Sequence, residues 1–113
     1  MPGSSAFKIR ISNFASDNLE QIHFYISKIE LRPIVANQVV RAIQTKILDS
    51  IPNYPFRYPE CPARRTSGKI YRQAMVKNYK IIFRIDQEVI SIIGVVHASR
   101  SKEYIKKIPA GTP

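Results

Sequence analysis

Between Val89 and His97 the chain is apolar on both sides of an extended backbone. Ile90, Ile92 and Val96 fall on one face and Val89, Ile93 and Val95 on the other. A strand with two apolar faces has to be covered on both, so this run predicts the central strand of a sheet buried between layers. Upstream, Tyr79, Ile81, Phe83 and Ile85 alternate with Lys80, Ile82 and Arg84, and Ile70–Val76 precedes them as a further strand. Lys77-Asn78 and Asp86-Gln87-Glu88 are short enough to be tight hairpin turns. Near the N-terminus, Phe7, Ile9 and Ile11 alternate with Lys8 and Arg10, which predicts a short half-buried strand.

Two helices lie between the first strand and the last three. Leu19, Ile22, Ile26 and Ile29 recur at spacings of three and four, with Ser16 or Asp17 as the N-cap and Glu20 completing a capping box with Asp17. Arg32-Pro33 starts the second helix, since proline suits a first helical position. Its stripe is Ala36, Val40, Ile43, Ile47 and Ile51, widened by Val39, and Pro52 is expected to end it. The short connection predicts an antiparallel helical hairpin with both stripes on one sheet. Residues 52–69 hold Pro52, Pro55, Pro59 and Pro62, which exclude helix and central strand, and Tyr54, Phe56 and Tyr58, which can anchor a loop. Residues 99–108 add a short helix or a basic tail. The expected order is β-α-α-β-β-β in one domain over residues 7–107, with residues 1–6 and 108–113 as tails. The fold class is α+β, a helical hairpin on a small, mainly antiparallel twisted sheet.

Charge narrows the partner. Across 113 residues the formal net charge is +10, above the magnitude of about 2–8 that suffices for a soluble small domain. Residues 1–56 carry six basic and four acidic side chains, residues 57–113 twelve and four. A basic C-terminal half predicts a polyanionic partner. No apolar run approaches the roughly 20 residues needed to span a bilayer, and Met1-Pro2-Gly3-Ser4-Ser5 has no signal-peptide character, so a cytoplasmic location is expected. One cysteine, Cys61, and two histidines do not suit a zinc site, and no cofactor is expected.

The same order of elements resembles the RelE/ParE toxins of bacterial type II toxin–antitoxin systems. The residues that carry the resemblance are Tyr54-Pro55-Phe56-Arg57-Tyr58-Pro59, Tyr71-Arg72, the run Asn78 to Asp86, and Val95-Val96-His97-Ala98-Ser99-Arg100-Ser101, where the family's hydrophobic–His–x–x–Arg–Asp ending has Ser101 for Asp. The likeness spans roughly residues 7–107. It implies a plasmid-stabilisation type of toxin neutralised by a cognate antitoxin, a growth inhibitor acting either on the ribosome and its mRNA, as the RelE branch does, or on DNA gyrase, as the ParE branch does.

The resemblance also implies site residues. RelE-like cleavage uses a cation in the middle strand, an Arg after the last strand and a Tyr near the C-terminus, which Lys80, Arg100 and Tyr104 match by position. His97 can serve as acid or base near neutral pH, and Arg72 can stabilise charge developing on a phosphate. Such an enzyme is a metal-independent endoribonuclease. Lys80 lacks the bidentate geometry of arginine. Arg64, Arg65, Lys69, Lys80 and Arg84 are candidates for binding nucleic acid or the antitoxin.

Each candidate also has a purely structural reading. His97 can hydrogen-bond a neighbouring carbonyl, Arg72 can pair with Asp86 or Glu88, and Tyr104 can pack. His23 sits beside the apolar stripe as a packing residue, and Cys61 lacks an activating base. A basic regulatory protein that binds nucleic acid, or a catalytically degenerate toxin, are the alternatives. Neither helix carries the basic face of a helix-turn-helix reader.

Overall fold

The structure, a computed structural model, describes residues 7–64 and 68–109. Four strands form one sheet: β1 (Lys8–Ile11), β2 (Tyr71–Val76), β3 (Tyr79–Asp86) and β4 (Val89–His97). Their spatial order is β1-β4-β3-β2, with β1 parallel to β4 and the other pairs antiparallel. The doubly apolar run is thus an interior strand, as expected. Lys77 and Gln87 take positive φ (54° and 55°) in the two hairpin turns, the backbone shape that matches strand twist in two-residue turns.

One face of the sheet is covered by α1 (Asn13–Phe24) and α2 (Pro33–Thr45). Ile22 and Ile26 from the first helix and Val39, Ile43, Ile47 and Ile51 from the second meet Ile81, Phe83, Ile90, Ile92 and Val95. His23 Nε2 donates to Asn37 Oδ1 at 2.7 Å, joining the two helices. Leu31, with φ of 58°, makes the tight turn between them.

Both helices depart from the expected stripe in their last turns. Each ends in a π turn, Tyr25–Ile29 and Lys46–Ser50. Bonding to the fifth residue winds the chain more loosely than an α turn. Ile29 is therefore rotated off the stripe and is 58 % exposed. After the second π turn the chain makes one more helical turn, α3 (Ile51–Asn53), so Pro52 lies inside it rather than ending the helix.

The N-terminal cap is Ser12, not Ser16 or Asp17. Its Oγ accepts from the Ala15 N–H at 3.0 Å and donates to the Ile93 carbonyl at 3.2 Å. The helix starts early because β1 pairs with β4 only as far as Ile92. Beyond that point the outer edge of β4 needs other partners. Ser12 supplies one, and buried Asn18 supplies another by accepting from the Val95 N–H at 2.9 Å. Burying these two polar side chains is the cost of satisfying a strand that outruns its neighbour.

The second face carries a smaller core of Cys61, Ala63, Tyr71, Ile82, Ile93, Val96, Ile105 and Ile108, covered by α4 (Lys102–Lys106) and the turn Pro62–Arg64. Ile108 is 3 % exposed, so the packed chain runs one residue past the expected boundary. A β-bulge divides β4 between the two cores. Ile82 pairs with Gly94 but Phe83 pairs with Ile92, which leaves Ile93 as the extra residue. The extra residue inverts the alternation. Val95 consequently packs under the helical hairpin while Val96 packs beneath α4, an exchange that simple alternation does not predict. Gly94 lies where a Cβ would sit 3.2 Å from Ile108 Cδ1.

The long loop is ordered by aromatic and proline contacts. Pro55–Arg57 and Pro62–Arg64 form single 3₁₀ turns. Cys61 N donates to the Tyr71 carbonyl at 2.7 Å and Gln73 N to the Pro59 carbonyl at 3.0 Å, so residues 59–61 cover part of the exposed edge of β2. No helix among the described residues is long and apolar enough to cross a membrane.

Candidate functional site

At one end of the sheet the π turn of the first helix, the start of α2, the β2–β3 turn and the end of β4 surround an open cleft of about 1350 Å³. Ile22, Ile26, Ile29, Val35 and Val39 give it an apolar wall; Glu20, Glu30, Arg32, Lys77 and Arg100 give it a rim of both signs. Looser winding at Tyr25–Ile29 turns Tyr25, 53 % exposed, and Ile29 outward at this wall.

Three of the expected catalytic residues meet here: His97, Arg100 and Tyr104. His97 ends β4 and is exposed. Its Nδ1 lies 2.7 Å from Ser99 Oγ and accepts from the Ser99 N–H at 3.1 Å, so the neutral ring carries its proton on Nε2. The ring stands edge-to-face with Tyr79, centroids 5.4 Å apart. The partner of His97 is thus Ser99 rather than a carbonyl. Burial, then the nearby Glu30 carboxylate and Tyr25, push the Tyr79 phenol above its ordinary 10.0, which keeps it a neutral donor. The Arg100 guanidinium lies 4.3 Å from the centre of the Tyr104 ring, a cation–π contact. Ser101 is the N-cap of α4, accepting from the Tyr104 N–H at 3.1 Å. Aspartate caps helices equally well, so Ser101 does locally what the family's Asp can do.

The remaining candidates lie elsewhere, and two are structural. Arg72 does not pair with Asp86 or Glu88. Its Nη1 donates to the carbonyls of Tyr58 at 2.7 Å and Phe56 at 3.3 Å, and its guanidinium lies over the Phe56 ring. It clamps the aromatic-proline loop to β2. Arg64, expected at a binding surface, is 7 % exposed. It donates to the carbonyls of Ile105, Lys106 and Ile108 and stacks over Tyr71. The carbonyls at the end of a helix lack internal partners, and Arg64 supplies them. It is a buried strut for α4, with Nη1 committed to that helix's carbonyls. Lys69 is exposed, Arg65 lies outside the described residues, and Lys80 and Arg84 are half-buried on the second face. The ion pair of Asp86 is with Arg84, Nε to Oδ2 3.0 Å. Cys61 is buried, and that burial pushes its thiol above 9.0, consistent with an unreactive packing residue.

Sequence reasoning missed Ser12, Asn18, Ser99, Tyr79 and Glu30. Only Ser12 carried a readable signal, as a serine directly before a helical run.

A four-stranded mixed sheet with a helical hairpin on one face and a short helix on the other is the α+β architecture of the small toxins of toxin–antitoxin pairs. The sequence model described as "ParE toxin of type II toxin-antitoxin system, parDE" matches residues 9–102, and the chain belongs to that family. Among solved structures it is similar to a chain of the chromosomal ParDE toxin–antitoxin system from P. aeruginosa, at 17 % identity and a TM-score of 0.65, covering 83 % of this chain and 98 % of that one. It is also similar to a chain of the RelBE2 toxin–antitoxin complex from Mycobacterium tuberculosis, at 21 % identity and a TM-score of 0.54, covering 80 % and 96 %. No curated protein matches the sequence.

Proposed function

We propose that this protein is the toxin of a type II pair and acts by binding and poisoning DNA gyrase, with a cognate antitoxin covering the cleft until it is released. The observation that carries the choice of target is the diversion of Arg72 into backbone carbonyls, 2.7 Å from that of Tyr58. Metal-free RNA cleavage requires several free cations around one phosphate, together with an acid and a base. Around His97 the cations lining the cleft are Arg32, Lys77 and Arg100, the last stacked on Tyr104, and Glu20 and Glu30 stand among them. A mixed rim around an apolar wall suits a protein surface better than a phosphodiester. The solved ParDE and RelBE2 relatives are described as toxin–antitoxin assemblies, which supports an antitoxin partner.

Gyrase supercoiling assays with purified protein provide the test. The expected result is loss of supercoiling with accumulation of cleaved DNA, while cell-free translation continues. Normal supercoiling at saturating protein overturns the reading. A ribosome-dependent ribonuclease is the second reading, favoured by His97, Arg100 and Tyr104 in one cleft. It requires that His97→Ala and Arg100→Ala abolish mRNA cleavage in a translation extract.

A further inference from the structure

The tip of the helical hairpin is apolar and exposed. Phe24, Tyr25 and Ile29 at the end of the first helix, Leu31 in the turn and Ile34 at the start of α2 are all more than half exposed. The turn closes tightly, the Arg32 N–H donating to the Ile26 carbonyl at 2.9 Å, which keeps these side chains at one end of the hairpin. Single apolar side chains on a surface are ordinary. Five large ones between Phe24 and Ile34 make a patch of the kind that marks contact with another molecule.

Leu31 is the most telling of them. It follows the cap residue Glu30 with φ of 58°, the left-handed position in which helices usually end on glycine. A Cβ is crowded there, so leucine is less stable in this turn than glycine or asparagine. Burial does not compensate, because Leu31 is 78 % exposed. Ile34, 72 % exposed, stands in the first turn of α2, where a β-branched side chain brings no gain in helix propensity. The looser winding at Tyr25–Ile29 adds Ile29 to the same surface. Neither local geometry nor the core accounts for these side chains, and contact with a partner does.

We infer that the hairpin tip is a prong that enters an acid-rimmed apolar pocket on the folded protein the toxin acts against, an inference that rests on the toxin reading above. Shape separates this partner from the antitoxin. A concave cleft receives a flexible segment, whereas a convex turn led by Leu31 requires a pocket already formed in a folded protein. Leu31 and Ile34 do not line the cleft. Charge describes the rim of the pocket. Lys28 and Arg32 are exposed on either side of the turn and make no ion pair among the described residues, so carboxylates around the pocket complement them. Exposed Glu30 lies between them in sequence. It is repelled by an anionic lipid surface or a phosphate backbone, while a protein can pair it singly. A second copy of the chain fits poorly, since each carries a formal net charge of +10.

The test separates target engagement from antitoxin binding in the full chain. Leu31→Asn and Leu31→Gly suit the left-handed turn and should raise the melting temperature. Both should nonetheless lose growth arrest on expression and need about tenfold more protein, or beyond, for half-inhibition of supercoiling. Calorimetric affinity for the antitoxin, taken as the small protein encoded beside the chain, should stay within about twofold. A stabilised yet non-toxic protein is an outcome that misfolding does not produce. Ile34→Asn should act in the same direction, and Leu48→Asn, at an exposed leucine in the second π turn, should change neither readout. Full growth arrest by the Leu31 and Ile34 variants overturns the inference and leaves the toxin reading intact. Parallel loss of antitoxin affinity and toxicity assigns the tip to the antitoxin and also overturns it. Growth arrest by the wild type with gyrase unaffected removes gyrase alone, and the arrest seen with the variants then decides the tip. No growth arrest by the wild type removes both. Sedimentation with phosphatidylglycerol vesicles that Leu31→Asn abolishes together with toxicity overturns it in favour of a lipid surface.

Discussion

The two faces of the sheet are covered in different ways. Under the helical hairpin, periodic aliphatic stripes from two long helices meet Ile81, Phe83, Ile90 and Ile92, all fully buried. That layer is held by non-directional apolar burial, spread over many side chains. Beneath α4 a helix of five residues, too short to be stable alone, is fastened by directed contacts: Arg64 on its terminal carbonyls, Ser101 on its first turn, and Ile105 and Ile108 in a small core. A dispersed core tolerates the loss of one contact in proportion to its area. A fastened helix depends on single residues, and α4 carries Tyr104, the residue against which Arg100 stacks in the cleft. The part of the cleft that Arg100 and Tyr104 form is therefore built on the more fragile layer.

Substitutions can break this contrast. The largest effect is expected from Phe83→Ala, a fully buried ring edge-on to Tyr58, which should cost about 3–5 kcal/mol in urea unfolding. A shift in midpoint smaller than that of any surface variant would contradict the assignment of Phe83 to the main core. Arg64→Met follows, at about 3 kcal/mol. Here the loss should be local as well as global, with amide exchange rising first across residues 102–108. Uniform exchange across the whole chain would mean that α4 is not separately fastened.

Gly94→Val should cost about 1–3 kcal/mol, because its added atoms meet Ile108 and Phe14. Gly94→Ala should cost less, since only the tip of Ile108 must yield; equal stability of both variants argues against the close approach of Ile108 and Phe14 to Gly94. Ser101→Ala should lose about 1 kcal/mol and Ser101→Asp close to none, measured by thermal denaturation.

The smallest effect concerns alkaline pH. Burial raises the folded thiol of Cys61 above 9.0 and the folded phenol of Tyr79 above 10.0. Stability from these groups is intact below their unfolded values and falls as pH rises through the folded ones. Stability should decline from about pH 9 upward, and Cys61→Ala should remove the earlier part of the decline. An identical pH profile for that variant excludes the thiol as the source.

What could be read from the chain alone was whatever depends on neighbours in sequence. Alternation in Tyr79–Ile85, the stripe from Ala36 to Ile51, Pro33 at a helix start and the turn at Lys77-Asn78 specify elements through local geometry, and their order led to the α+β class and the toxin family. Of the site, His97, Arg100 and Tyr104 were legible, because they follow one another closely across the end of β4 and α4. Three kinds of feature were not. The π turns move Ile29 off its stripe, and the bulge at Ile93 exchanges Val95 and Val96 between cores; both are adjustments that packing imposes on a regular pattern. The roles of Arg64 and Arg72 depend on acceptors that lie 41 to 44 residues away for Arg64 and 14 to 16 for Arg72. An arginine's sequence context says that it is charged. Only the tertiary structure decides whether its donors are consumed by backbone carbonyls or left for a partner, because hydrogen-bond satisfaction is a property of the folded surroundings.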